Sequence, residues 1–180
     1  GKSGCGKSEL VAQYAAKCKL PLATLEVGML SESKEIFGYK DLENGKITYV
    51  PGLFLEAIQT PNTVVHLQEL NRPESDKALN AIFSVLDDTH RSIWIDDLQR
   101  TVKVAEGVTF FATLNEGYEF IGTMPLDQAL EGRFNFKILL DYLPLKYEKT
   151  LLILRCGLSD GEASNICSVA NILRHNPQDP

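Results

Sequence analysis

The sequence predicts a three-layer α/β domain: a mainly parallel sheet between layers of helix, carrying two β-hairpin inserts and followed by a helical tail. Three observations predict it. The first eight residues, G-K-S-G-C-G-K-S, match in full the G-x-x-x-x-G-K-[ST] pattern of a phosphate-binding loop that opens a helix. Short apolar runs then alternate with stretches of helical periodicity, the order expected of parallel strands joined by crossover helices. Two segments interrupt that alternation with turn chemistry of their own, the clearer one at Asn44-Gly45.

Within the opening loop, Gly1, Gly4 and Gly6 let the backbone take positive φ and bring its N–H groups to phosphate oxygens, with Lys2, Ser3 and Cys5 between them. Lys7 supplies a point charge. Ser8 offers a hydroxyl to a magnesium ion shared with a nucleotide, and the helix that starts here aims its positive end at the same phosphates. Gly1 to Ser8 are therefore candidate nucleotide-binding residues, against the plain alternative of a Gly-rich turn. Such a loop ordinarily follows a buried strand and none precedes Gly1, so the sequence reads as part of a longer protein.

Leu10, Val11, Tyr14, Ala15 and Cys18 recur at helical spacing and predict a helix from Lys7 to Lys19 with one buried stripe. Leu22 to Val27 is a β-rich run ended by Gly28. Thr63 to Leu67, Val108 to Leu114 and Phe136 to Leu140 are further apolar runs, expected as strands buried on both faces. Helices are expected at Leu53 to Gln59, Pro73 to Leu86 and Pro125 to Gly132. The Asn-Gly pair makes Phe37 to Pro51 a hairpin. Arg91 to Val104 reads as another, with Ser92 to Asp96 and Thr101 to Ala105 as its arms. Beyond Pro144 the pattern is helical, and Ser159 to Arg174 predicts a last helix. Residues 1–144 thus form a nucleotide-binding core and 145–180 the beginning of a helical lid.

The 180 residues suit one core domain plus the start of another, and 44 % hydrophobic content allows a substantial core. A net charge of -6 with no Lys/Arg cluster argues against an extended nucleic-acid face. No apolar run reaches membrane-spanning length. The four cysteines form no C-x-x-C pair, which fits a reduced, cytoplasmic setting and indicates neither a zinc site nor a redox dithiol. His66, His90 and His175 are isolated and read as structural.

The chemistry collects at strand ends, where an open α/β sheet places its ligands. Val64 to Glu69 has the form of an apolar strand ending in two polar residues, the place of a Walker B pair. The usual pair is Asp-Glu, and here an uncharged Gln68 stands where a carboxylate helps hold magnesium. Glu69 is the candidate for polarising the water that attacks the terminal phosphate, unless it only faces solvent. Asn71 and Glu74, flanking Pro73, have the spacing of a helix capping box. Asn115 ends the next apolar strand, where its amide could orient water or simply form a turn with Glu116-Gly117.

The order G-x-x-G-x-G-K-S, E-L-N-R, then A-T-L-N-E-G-Y-E-F-I-G-T-M-P-L-D-Q-A-L-E-G-R-F resembles the AAA+ ATPases of the MoxR type, in particular the CbbQ, NorQ and CobS group, from Gly1 to about Tyr142. The resemblance implies a P-loop NTPase core that binds ATP with Mg2+ and forms homo-oligomeric rings, usually hexamers, with nucleotide between subunits. It implies a sensor role for Asn115 and makes Arg133 the arginine finger that enters the neighbour's site. Without it, Arg133 reads as a helix-end charge. Both hairpins face the pore or a partner in similar proteins, so Trp94 is a candidate client contact or an aromatic packed on its own hairpin. The function implied is ATP hydrolysis coupled to remodelling or activating a partner protein, commonly one with a von Willebrand factor A domain. Two other readings stay open: a nucleotide-binding assembly module that hydrolyses weakly because of Gln68, and a nucleic-acid-directed motor.

Overall fold

The computed structural model describes residues 2–29, 33–43, 45–72, 76–115 and 128–175. Its centre is a parallel sheet of three strands in the order β1 (Leu22–Glu26), β4 (Val64–Gln68), β7 (Thr109–Ala112). β4 lies in the middle and is buried on both faces, with alternate residues sent to two different cores. Val64 meets Val11 and Ala15 of α1 (Lys7–Cys18) together with Leu20 and Phe111, and Tyr14 stacks on Phe111 at 5.1 Å. Val65 and Leu67 point the other way, into the larger cluster with Phe54, Leu55 and Ile58 of α3 (Leu53–Gln59) and Ile82 and Val85 of α4 (Asp76–Leu86). The three layers follow from this period-two division of an apolar strand.

His66 takes the α1 side, 1 % exposed, with Nε2 at 3.0 Å from the Thr113 hydroxyl. Burial pulls its pKa below the ordinary histidine value, so it stays neutral and serves as a satisfied core residue.

β1 is buried on one face only. Ala23 and Leu25 are buried in the larger core, while Leu22, Thr24 and Glu26 are exposed. The reason is its position at the sheet edge: α1 packs on β4, leaving the same face of β1 uncovered. The expected strand from Phe136 to Leu140 is a correction, since these residues carry no regular structure. Phe136, Ile138 and Leu139 are exposed, and no described strand pairs with the segment. Apolar composition makes a strand only where a ladder partner satisfies its N–H and C=O groups.

Both hairpins form. A 3₁₀ turn at Val27–Met29 and a short helix α2 (Ser33–Phe37), neither anticipated, lead into β2 (Gly38–Glu43) and β3 (Lys46–Pro51), paired from Gly38↔Pro51 to Glu43↔Lys46. The second hairpin is β5 (Ser92–Ile95) and β6 (Arg100–Lys103), joined by a 3₁₀ turn at Asp96–Leu98. Lys40 and Asp97 connect the two across 3.6 Å. Trp94 is 52 % exposed, and its indole N–H donates to Asp96 on its own hairpin.

Gly38 is where the first hairpin folds back on α3. Its φ is +114°, and a Cβ there would fall inside contact distance of the Val50 carbonyl oxygen and the Gly52 nitrogen. Gly45, at the tip, has φ +76° with open space around it. Gly38→Ala is therefore expected to cost about 3 kcal/mol, against about 1 kcal/mol for Gly45→Ala, which carries only the left-handed penalty. Urea midpoints of the two variants check the difference.

After α5 (Gln128–Glu131) and the irregular 132–144 segment come α6 (Leu145–Cys156) and α7 (Asp160–Arg174), which pack on each other. Gly157, at φ +69°, caps α6, and Ser159 and Glu162 form a reciprocal capping box that opens α7. Arg174 grips Glu148 with two bonds of 2.7 and 2.9 Å, and Arg155 reaches Glu9 of α1 at 2.8 Å.

Candidate functional site

The opening loop turns into α1 through Gly4 (φ +72°) and Gly6 (φ +89°), the latter at the N-cap. A Cβ on either would meet no protein atom within 4 Å, so glycine is required there by conformation. The N-cap glycine has no side chain to cap the helix, which leaves its first-turn N–H groups and positive dipole end for an anion. Gly1 lies outside the described residues.

The sheet brings two further side chains to this loop. The ladder between β4 and β7 continues past both strands: Thr113 N–H donates to Leu67 O (3.0 Å) and Leu70 N–H to Thr113 O (3.1 Å). That register sets Glu69 beside Asn115. Glu69 has φ +53°, a left-handed backbone that costs a non-glycine residue about 1 kcal/mol and turns the chain sharply at the strand end.

The three candidates form one hydrogen-bonded chain. Lys7 Nζ donates to Asn115 Oδ1 at 2.7 Å and to the Lys2 carbonyl at 2.6 Å, and lies 3.9 Å from Cys5 Sγ. Asn115 Nδ2 donates to Glu69 Oε1 at 3.1 Å. Only one orientation of the Asn115 amide works, because an ammonium cannot accept and a carboxylate does not donate. Arg72 Nη1 reaches the other Glu69 oxygen at 3.4 Å. Ser8 follows Lys7 at the start of α1, and Gln68 ends β4, half-buried and in register with Glu26.

Asn71 makes a contact that the sequence reading did not anticipate. The residue is 6 % exposed, and its Nδ2 donates to the Asn115 carbonyl at 2.7 Å, which ties it to the site. Its Oδ1 is buried and has no hydrogen-bond partner among the described residues. Pro73 and Glu74, the rest of the expected capping box, lie outside the described residues, as do 116–127 from the longest motif. Sequence reasoning missed this contact because Asn-x-x-Glu already offered Asn71 a local role as a cap. The available signal was position, two residues beyond Glu69 at the same strand end.

Arg133 is not part of this cluster. Its Nη1 donates to Ala129 O (2.7 Å), its Nε to Phe83 O (3.1 Å), and the guanidinium lies 5.2 Å from the Phe83 ring centroid.

A cleft of about 250 Å3 adjoins the loop on the helical side, lined by Lys2, Asp141, Tyr142, Asn171, Arg174 and His175 among others. Lys2 pairs with Asp141 at 3.3 Å and lies 5.2 Å from the Tyr142 ring, which Arg174 covers at 4.0 Å. The Tyr142 backbone N–H, and then Lys2, hold the Asp141 carboxyl below the usual range. None of these contacts was foreseen.

The description of the AAA domain, dynein-related subfamily, matches residues 1–134. The chain belongs to the AAA family. AAA proteins are P-loop NTPases that generally bind nucleotide with Mg2+, hydrolyse ATP and typically form rings. Among AAA relatives, a Thauera aromatica protein named "Putative chaperone BssE" is 52 % identical over 178 residues, covering 99 % of this chain and 61 % of that protein. Protein NorQ of Paracoccus denitrificans is 27 % identical over 121 residues, covering 67 % of this chain and 44 % of its own. The expected likeness to MoxR-type AAA+ proteins thus holds. A solved structure of a Thermotoga maritima RuvB variant superposes with a TM-score of 0.62 at 16 % identity, covering 93 % of this chain and 46 % of that one, a likeness of fold. The chain therefore spans about three fifths of the BssE relative and less than half of NorQ. No described helix is long and apolar enough to cross a membrane.

Proposed function

We propose that this chain is the nucleotide-binding core of a cytoplasmic ring ATPase that hydrolyses ATP between subunits and uses the cycle to remodel or activate a partner protein. The observation that carries the reading is the continuous Lys7–Asn115–Glu69 chain, which joins a phosphate-loop cation to a strand-end carboxylate through one buried amide.

The residues fit a nucleotide and its metal. The first-turn N–H groups of α1 and the Lys7 ammonium would take phosphate oxygens, Lys7 exchanging the Lys2 carbonyl for a phosphate. Ser8 and Gln68 offer a hydroxyl and an amide oxygen, the hard oxygen donors magnesium takes, though neither carries charge. When bound, magnesium would neutralise charge on the transferring phosphoryl group. Glu69 takes a proton from the attacking water, and Asn115, fixed between Lys7 and Glu69, orients that water. The 250 Å3 cleft lies beside the loop where the rest of the nucleotide would extend.

Arg133 serves a neighbouring subunit's site in this reading, which requires it to leave the Phe83 and Ala129 carbonyls on assembly. A chaperone-like role is supported by the BssE relative's name; a client carrying a von Willebrand factor A domain is what the sequence resemblance to MoxR-type proteins implies. The exposed hairpins, with Trp94, are the client surface. Residues 145–175 begin a lid.

Gln68 favours a second reading, a module that binds nucleotide and assembles but turns over slowly. Steady-state ATP hydrolysis by the full-length protein against protein concentration, with magnesium, separates the two. The ATPase reading expects turnover whose specific activity rises as subunits associate. Binding without turnover until Gln68→Asp is introduced would establish the assembly module instead.

A further inference from the structure

We propose that Asn71 is a positioning residue for hydrolysis, holding the main chain of Asn115 so that the Asn115 amide spans Lys7 and Glu69. The inference rests on the hydrolytic reading above. β7 ends at Ala112, and the last backbone bond tying its continuation to the β4 side is Leu70 N–H to Thr113 O. Beyond it the Asn115 carbonyl has left the ladder, and Asn71 Nδ2 takes it at 2.7 Å across 44 residues of sequence. Asn115 is 8 % exposed and its amide must meet an ammonium on one side and a carboxylate on the other, so a small swing of its backbone breaks both bonds.

Asn71 Oδ1, buried and unpartnered among the described residues, separates positioning from packing. A leucine of similar size would fill the same buried space without an unpaired acceptor. Turning the amide is no remedy, because its oxygen would then face the Asn115 carbonyl. The chain keeps a group that satisfies Asn115 and whose own acceptor has no partner among the described residues, two residues from a Glu69 that is itself in a left-handed conformation. Local rules are broken together at one place, the pattern of a functional site.

The test is Asn71→Leu in the full-length protein, read by kcat and KM for ATP, thermal melting, and amide hydrogen exchange at Leu114 and Asn115. Expected are a fall in kcat of about tenfold or more with KM within about threefold, no loss of melting temperature, and faster exchange at those two amides. An unchanged kcat overturns the proposal, as does a fall in kcat that only tracks a lower melting temperature. Native protein that binds but does not hydrolyse ATP overturns the hydrolytic reading alone. The exchange rates then decide: faster exchange at unchanged melting temperature supports positioning, and unaltered exchange overturns it.

Discussion

Lys7→Met is expected to weaken binding of a non-hydrolysable ATP analogue by about 100-fold, the upper range for losing charge-assisted hydrogen bonds to phosphate. The variant loses more than a charge. Lys7 Nζ is the donor to Asn115 Oδ1, and Asn115 is 8 % exposed, so the substitution leaves a buried acceptor that water does not easily reach. A stability loss of about 1–3 kcal/mol should accompany the loss of affinity. A surface lysine of the same helix such as Lys17, exposed in its last turn, predicts neither effect. Lys7→Arg should not rescue, because a planar guanidinium cannot send donors to the positions a compact ammonium reaches. Calorimetric titration and thermal melting of the same samples check both halves. Affinity within a few-fold of native would mean that phosphates bind elsewhere.

What the sequence disclosed and what it hid divide along physical lines. Helix Lys7–Cys18, both hairpins and the middle strand were legible because each rests on local patterning: a 3.6-residue apolar stripe, an Asn-Gly turn, a run of Val-Val-His-Leu. The approach of Glu69 and Asn115 to the phosphate loop was legible too, since parallel strands present their ends to one crevice. Features set by distant partners were hidden. Phe136 to Leu140 has a strand's composition but no paired edge among the described residues, and β7, expected to be buried on both faces, is exposed at Thr109 and half-buried from Phe110 to Ala112. The Asn71 contact was hidden because a residue 44 positions away accepts its bond. The contacts of Lys2 with Asp141 and Tyr142 and of Glu9 with Arg155 join the loop and α1 to the helical end, and no short-range periodicity encodes them.

Glu69→Gln is expected to lower ATP turnover by about 10²- to 10⁴-fold, the range for removing a general base, while nucleotide affinity stays within about threefold. The geometry explains why the two should separate. Glu69 Oε1 accepts from Asn115 Nδ2, and the glutamine oxygen can accept the same bond, so the Lys7–Asn115 link survives the substitution. The weaker 3.4 Å contact to Arg72 is lost, because the new amide group is a donor facing a donor. What disappears is the proton acceptor, at unchanged shape and unchanged left-handed backbone. Single-turnover measurements should then find the variant holding ATP unhydrolysed, and any assembly that depends on bound ATP should persist in it. Retained turnover would place the base at another carboxylate. Glu26 is the next one along that edge, since it stands opposite Gln68 in the strand register and is exposed to the same end of the sheet.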